Sequence, residues 1–200
     1  MSETLPPKPL PPLILASGSP RRKELLGSLG LSFQVIPSSV DEAAIDVSGL
    51  TPAELVMKLA QCKAVDVAQN HPEHLVIGSD TIVVLDNKVF GKPRDEAEAI
   101  GMLSALEGRT HQVYTGISLC YQGACLCEFN VTDVTFLAMA QETIKRYVQT
   151  GEPMDKAGAY SIQGLGSLNI ERISGCYFNV VGFSLVLFQA MLKQLGYVLY

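Results

Sequence analysis

The sequence predicts an α/β fold with a central mixed β-sheet flanked by helices. Two observations carry this prediction. In the first half of the chain, apolar, β-branched runs alternate with segments whose apolar residues recur at helical spacing, and in the second half the pattern indicates a long antiparallel hairpin. The chain has 200 residues, of which 48% are hydrophobic, so it can bury a sizeable core. We therefore expect a single domain over residues 13–200.

The first strands and helices of that domain follow from local patterns. The apolar run at 13–16 predicts a short buried strand, and residues 33–37 predict a second short strand. Between them, Ser19-Pro20 is typical of a helix start, with serine as N-cap and proline at the first helical position. A capping box and apolar residues at helical spacing predict a second helix over 51–69.

The rest of the chain predicts a long hairpin between helices. The β-branched run 75–85 reads as a central strand with a polar Gly-Ser-Asp-Thr stretch in its middle. We expect a helix from Asp95 to near Gly108, hairpin strands at 111–121 and 125–137 around Gln122-Gly123, a helix at 141–149, a strand at 168–173 and a final helix from about Gly182 to Leu195.

The N-terminal segment and the charge exclude several classes of protein. Residues 1–12 hold five prolines without a basic and then apolar pattern, which predicts a flexible arm and no signal peptide. The apolar runs 75–85 and 180–188 contain polar residues and are shorter than the roughly 20 residues that span a bilayer. The net charge of −5 gives no overall positive field that would hold nucleic acid or an anionic membrane, so any anion site must be local. We expect no membrane and no nucleic-acid partner.

The cysteines and histidines show no metal-site spacing. Five cysteines without a CxxC pair are expected to be reduced core residues of a cytoplasmic protein, and the three scattered histidines are expected to be surface or structural residues. The cysteines are Cys62, Cys120, Cys125, Cys127 and Cys176.

Three cations follow a serine-rich turn at the start of the first helix. Free backbone amides and the helix dipole favour an anion there, so Arg21, Arg22 and Lys23 are unfavourable by a few tenths of a kcal/mol each unless an anion lies between them and the amides. The pattern predicts an oligophosphate site at this turn. The alternative is that the three side chains extend into solvent or pair with carboxylates.

A carboxylate stands in the middle of the predicted central strand. Asp80 is costly to bury there unless it is paired, hydrogen-bonded or bound to a metal. The alternative is that it caps a strand end or meets an arginine. Glu42, Lys63 and Lys92 stand in loops or near element ends, where functional groups collect, although each alone is typical of a solvated charge.

A glycine-rich segment, 158–166, permits close approach of a ligand to the backbone. Gln163 within it offers both a donor and an acceptor, which suits the edge of an imide-type base. The alternative is a simple turn. The P-loop pattern is absent, and no GxGxxG pattern follows a strand.

Taken together, these motifs resemble the Maf family of nucleoside triphosphate pyrophosphatases. The resemblance runs from about Leu13 to Leu195. It rests on the stretches SGSPRR with ELL at 17–26, VDE at 40–42, KA at 63–64, GSDT at 78–81, GKP at 91–93, YTG at 114–116, DKAG at 155–158 and VG at 181–182.

The resemblance implies an elongated two-lobed α/β fold like that of the inosine triphosphatases, with a central cleft. It implies hydrolysis of a nucleoside triphosphate to the monophosphate and pyrophosphate, with a divalent cation, Mg²⁺ or alternatively Mn²⁺. Asp80 is then the proton acceptor or a metal ligand, and Glu42 lies near the metal or the attacking water. The implied triphosphate ligands are Ser17, Ser19, Arg22, Lys63 and Lys92.

The resemblance also implies a substrate branch. Arg21, Thr81 and Gln163 match the members specific for dTTP and UTP, whereas members that prefer 7-methyl-GTP have Trp, Gln and Glu. Two positions depart from the usual pattern, Ser161 in place of glycine and Ser79 in place of alanine. A non-catalytic nucleotide-binding regulator of septum formation is the alternative function, and a homodimer is a family-level expectation.

Overall fold

The computed structural model describes residues 8–200 of the chain. The predicted flexible arm over residues 1–12 therefore falls mostly outside the described residues. Within them, Lys8 forms a parallel bridge with Tyr197, and Leu10 packs against the core. Residues 8–12 thus run along the C-terminal part of the domain.

One mixed sheet forms the centre of the described part of the chain, which confirms the predicted fold class. Strand β1 is parallel to β2 and β3, and the other pairings are antiparallel, in the order β2-β1-β3-β5-β6-β7 with β4 beside β3. The strands are β1 (Leu13–Leu15), β2 (Phe33–Val35), β3 (Leu75–Leu85), β4 (Lys88–Phe90), β5 (Thr110–Tyr121), β6 (Ala124–Phe136) and β7 (Ile170–Ser174).

Helices cover both faces of this sheet. Ser19 caps α1 and Thr51 forms a capping box on α2, as the sequence predicts. The helices are α1 (Pro20–Gly27), α2 (Pro52–Ala68), α3 (Glu96–Leu106), α4 (Gln141–Gln149), α5 (Tyr177–Val181) and α6 (Leu185–Gln194), and short 3₁₀ turns lie at 42–44, 152–155, 157–159 and 164–169.

Helix α2 packs closely on one face of the sheet because two glycines lie beneath it. A side chain at Gly78 would overlap the Ala60 carbonyl, and one at Gly116 would overlap the Val56 carbonyl. Successive residues of a strand point to opposite faces, so Asp80 shares the α2 face with Gly78. The opposite face carries two apolar clusters, one under α6 and one under α3 and α4.

The sheet has a gap along one edge of β3. The short strand β1 pairs with β3 only up to Ile77, and β4 pairs with it only from Val83 onward. Among residues 8–200, no strand covers this edge between these two points. Because the backbone is open there, residues 80–82 line a cavity at this edge, which gives the polar Asp80 and Thr81 access to a ligand inside an otherwise apolar strand.

One expectation about the cysteines is wrong. Cys120 and Cys125 lie directly opposite each other on β5 and β6, with Cα atoms 4.1 Å apart, and form a disulfide. The cause is the two-residue turn at Gln122-Gly123, whose positive φ angles set a register that places these cysteines face to face. The other three cysteines are free thiols.

The end of the chain also differs from the prediction of one final helix from about Gly182. Gly182 has a left-handed φ of 119° and ends the short helix α5. Ser184 then caps α6, which begins at Leu185. Strand β4 was not predicted either, although Asp86 and Asn87 form a turn with positive φ angles that folds it back onto β3.

Candidate active site

A cavity of about 510 Å³ opens at the uncovered edge of β3, next to a second cavity of about 280 Å³. The ten predicted site residues come from distant parts of the sequence, and each lines at least one of these two cavities. They are Ser17, Ser19, Arg21, Arg22, Glu42, Lys63, Asp80, Thr81, Lys92 and Gln163.

The serine-rich turn and the start of α1 form one wall. Ser17 is buried, and its Oγ accepts a hydrogen bond from the Ser19 amide at 3.3 Å. Arg22 turns inward: Nη1 donates to Ser17 Oγ at 3.2 Å, and Nε donates to the Gly182 carbonyl at 2.9 Å. The guanidinium is thus held by neutral oxygens and keeps its charge available to a nearby anion.

The three cations of α1 have different surroundings. Arg21 Nη1 forms an ion pair with Asp155 at 3.0 Å, and Lys23 is exposed. Burial lowers the pKa of the Arg22 guanidinium, while the Asp80 carboxylate acts in the opposite direction. Arg21 and Lys23 thus match the alternative interpretation, in which the side chains pair with carboxylates or extend into solvent. Arg22 faces inward and fits the role of an anion ligand.

A chain of polar groups continues behind Arg22 into the core. Arg22 Nη2 donates to Thr81 Oγ1 at 3.1 Å, and the Thr81 and Thr115 hydroxyl oxygens are 3.0 Å apart. Thr115 donates to the Asn179 carbonyl at 2.9 Å, and the Asn179 side chain donates to the Val113 carbonyl at 2.9 Å. Sequence reasoning missed Asn179, because nothing in its local pattern indicates that it lies behind the cavity.

Lys63 connects two carboxylates on the opposite side of β3. Its Nζ lies 2.6 Å from Asp80 and 2.9 Å from Glu42. The Asp80 and Lys63 side chains are only 11% and 13% exposed, whereas Glu42 is 53% exposed. The carboxylate within the strand is therefore paired with a lysine, and a second carboxylate faces the same ammonium group from the more open side.

These carboxylates are the groups that could hold a divalent cation. Among residues 8–200, no three His, Cys, Asp or Glu side chains are placed to hold a metal ion by themselves. Mg²⁺ is usually bound by one or two carboxylates together with water and substrate phosphates. The Asp80 and Glu42 pair, already held around one positive charge, fits this donor set.

The glycine-rich segment forms the other wall of the larger cavity. Gln163 is exposed at the rim of this cavity. Its backbone N–H donates a hydrogen bond to Ser161 Oγ at 3.1 Å. Behind it, the Tyr160 hydroxyl lies 2.8 Å from His111 Nε2, and burial lowers the pKa of His111 to about 4. Ser161, the unusual residue of this segment, thus fixes the backbone of Gln163.

Fold and cavity together define a class of protein. It is a mixed α/β protein whose cleft joins a serine- and cation-rich helix start to a lysine-bridged pair of carboxylates, beside a neutral wall of backbone and amide groups. Hydroxyl groups and cations bind phosphate groups, and a carboxylate next to them can accept a proton. This is the arrangement of a phosphate-ester or phosphoanhydride enzyme.

Comparison with known proteins gives the family. The chain belongs to the Maf family: residues 12–195 match the family described as Maf-like protein. It is 51% identical over 185 residues to a dTTP/UTP pyrophosphatase of Symbiobacterium thermophilum, which spans 92% of this chain and 94% of the relative. It is 48% identical over 187 residues to a dTTP/UTP pyrophosphatase of Desulforamulus reducens, with 92% and 97% covered.

One solved structure to which the chain is similar is that of the Staphylococcus aureus Ham1 protein. The TM-score is 0.47 at 16% identity, and 79% of each chain is covered. Within residues 8–200, none of the helices has the length and hydropathy needed to cross a membrane.

Proposed function

We propose that this chain hydrolyses nucleoside triphosphates, with dTTP and UTP as substrates, to the monophosphate and pyrophosphate. One observation carries the proposal: a single cavity joins Ser19 and the inward-facing Arg22 to the Lys63-bridged carboxylates. The name that these relatives share, dTTP/UTP pyrophosphatase, supports the reaction and the substrate class.

In this proposal, the charged wall binds the triphosphate. The Ser17 and Ser19 hydroxyls donate hydrogen bonds to the phosphate oxygens, and Arg22 supplies a fixed positive charge. Lys63 and Lys92 line both cavities and complete the set of cations. Cleavage between the α- and β-phosphates places charge on the departing pyrophosphate, which these cations stabilise.

In this proposal, the two carboxylates orient and deprotonate the attacking water. Asp80 is the proton acceptor, because it is buried next to Lys63 and faces the larger cavity. Glu42 orients the same water or helps to hold the cation, since it meets Lys63 from the open side. A bound Mg²⁺, or alternatively Mn²⁺, would be held by Asp80 and Glu42, neutralise phosphate charge and lower the pKa of its water.

The residues of the neutral wall select the base. Gln163 offers a donor and an acceptor to the imide edge of uracil or thymine. Arg21 and Thr81 act less directly in our proposal: Arg21 is paired with Asp155, and the Thr81 hydroxyl is engaged with Arg22 and Thr115. A cytoplasmic location and a homodimer stay predictions.

The alternative, a non-catalytic regulator of septum formation, is not favoured. The curated relatives carry the names of enzymes, and a binding protein has no need of a carboxylate held at the phosphate site. Modified uridine or thymidine nucleotides suit the same proposed contacts.

The test is a product analysis. The purified chain is incubated with Mg²⁺ and a panel of dTTP, UTP, CTP, GTP and 7-methyl-GTP, and the products are separated. We expect UMP or dTMP together with pyrophosphate, at rates well above those for the purine nucleotides. Release of orthophosphate and a nucleoside diphosphate, or no turnover of any triphosphate, would refute the proposal.

A further inference from the structure

A carboxylate outside the cleft holds the glycine-rich wall in place. Glu152 Oε1 accepts a hydrogen bond from the Gly166 amide at 2.9 Å, and Oε2 accepts one from the Leu165 amide at 3.0 Å. Burial by itself raises the pKa of this carboxyl, but the two backbone amides and the Tyr147 hydroxyl outweigh it, so the pKa is lowered. The ionised carboxylate thus fixes the end of the segment that carries Gln163.

A buried tyrosine holds the other end of the same segment. The Tyr147 hydroxyl donates to Glu152 Oε1 at 2.8 Å and accepts from the Ser161 amide at 3.2 Å. The Ser161 hydroxyl in turn accepts a hydrogen bond from the Gln163 backbone N–H. The backbone on both sides of Gln163 is therefore attached to one hydrogen-bonded pair, which we call the Glu152–Tyr147 clamp.

The glycines of the segment fit this clamp closely. A methyl group at Gly166 would overlap the Tyr147 hydroxyl, and a side chain at Gly164, which has a left-handed φ of 69°, would press on the Glu152 carboxylate. Neither Glu152 nor Tyr147 lines the larger cavity. The clamp therefore cannot touch a ligand there and acts only through the backbone that it holds.

The same short turn also reaches the first helix. Residues 152–155 form one 3₁₀ turn, with Glu152 at one end and Asp155, the ion-pair partner of Arg21, at the other. Gln163 and Arg21, two residues proposed to select the base, are thus attached to a single turn. Movement of this turn would displace both.

We infer that Glu152 and Tyr147 are positioning residues that set base selectivity by fixing the backbone around Gln163. This inference rests on the proposed function, because it takes the cleft to bind a pyrimidine nucleotide. A merely structural role in the core under α3 and α4 would change stability and leave relative affinities for different bases unchanged.

The test compares two clamp variants with two matched controls. Tyr147→Phe removes the hydroxyl and retains the ring, and Glu152→Gln replaces an acceptor oxygen with a donor. Tyr197→Phe is the first control, because Tyr197 is equally buried, at 7% exposure, in the cluster under α6. Glu142→Gln is the second control, because Glu142 belongs to an exposed ion pair on α4.

Two measurements are made on the full chain. Dissociation constants for UTP and GTP are measured in EDTA, so that hydrolysis does not interfere, and backbone hydrogen exchange is followed at Ser161, Leu165 and Gly166. In both clamp variants we expect the preference for UTP over GTP to fall about tenfold, which is the value of one well-placed hydrogen bond. The three amides should exchange at least about tenfold faster, and the controls should match the wild type.

The outcomes separate the two proposals. An unchanged preference in variants whose amides exchange faster would overturn the inference, as would a wild type that binds both nucleotides equally. If the wild type cleaves no triphosphate with Mg²⁺ present, the proposed reaction fails, and the binding preference in EDTA still decides whether the clamp sets selectivity.

Discussion

The two walls of the cleft are built in different ways. The charged wall, formed by residues 17–20, Arg22, Lys63 and Asp80, places ionised side chains directly in the cavity. The neutral wall, formed by residues 158–166, presents backbone and Gln163, and its supporting charge, Glu152, lies outside the cavity. Charge acts on the ligand directly on one side and through backbone geometry on the other.

This difference matches what the two ends of a nucleotide require. Phosphates are recognised mainly by their charge. They need cations at short distance, but the exact positions of these cations matter less. A base is recognised by hydrogen bonds whose positions must be held to a fraction of an ångström. Substitutions on the charged wall should therefore reduce the rate for every substrate, and those on the neutral wall should change the ratio between substrates.

The largest effect is expected at Asp80. Asp80→Asn removes the proposed proton acceptor, while Lys63 keeps Glu42 as a partner, so the fold should persist. Turnover of UTP should fall by roughly 10²-fold or more. Steady-state kinetics on the folded variant checks this, and Asp86→Asn, in an exposed ion pair with Arg109, is the control. Near-normal turnover would refute the role.

A smaller effect is expected at Arg22. Arg22→Lys keeps the charge but loses the planar group that contacts Ser17, Thr81 and Gly182 together. The KM for UTP and for GTP should rise in parallel, by about 30-fold. Arg109→Lys is the matched surface control. A change in the ratio between the two substrates would contradict the assignment of Arg22 to the charged wall.

Gln163 should show the opposite behaviour. Gln163→Glu removes an amide donor at the rim of the cavity, so the preference for UTP and dTTP over 7-methyl-GTP should fall by about tenfold. Competition assays with paired substrates measure this ratio, with Gln122→Glu in the distant hairpin turn as the control. Equal loss of activity toward all three nucleotides would instead place Gln163 with the charged wall.

His111 supports the neutral wall through Tyr160, and we expect it to affect stability rather than catalysis. Its pKa of about 4 lies below the ordinary 6.5, so the unfolded chain binds the proton more readily between these values. The free energy of unfolding should therefore decrease, by up to about 3 kcal/mol, as the pH falls from 6.5 to 4.

Denaturant unfolding at several pH values measures this decrease. In His111→Gln, the decrease in the free energy of unfolding that this group causes between pH 6.5 and 4 should disappear. The control His71→Gln, in a surface turn, should retain this decrease. Equal slopes in wild type and His111→Gln would contradict the assignment.

The charged wall was easier to predict from the sequence than the neutral wall. Cations at a helix start and a carboxylate inside an apolar strand are locally unfavourable, so Arg22 and Asp80 stand out without a structure. Glu152 and Tyr147 are ordinary residues in their own segments, and only the folded chain brings them to residues 161–166. The Cys120–Cys125 disulfide likewise depends on strand register rather than on spacing.

The central claim is that one cleft holds the triphosphate between residues 17–22 and Asp80. A crystal structure of the wild-type chain with Mg²⁺ and α,β-imido-UTP, which cannot be cleaved between these phosphates, tests it most directly. We predict that the phosphates contact Ser17, Ser19 and Arg22, and that the α-phosphorus faces Asp80. Phosphates bound away from this turn, or an Asp80 carboxylate turned away from them, would contradict the account.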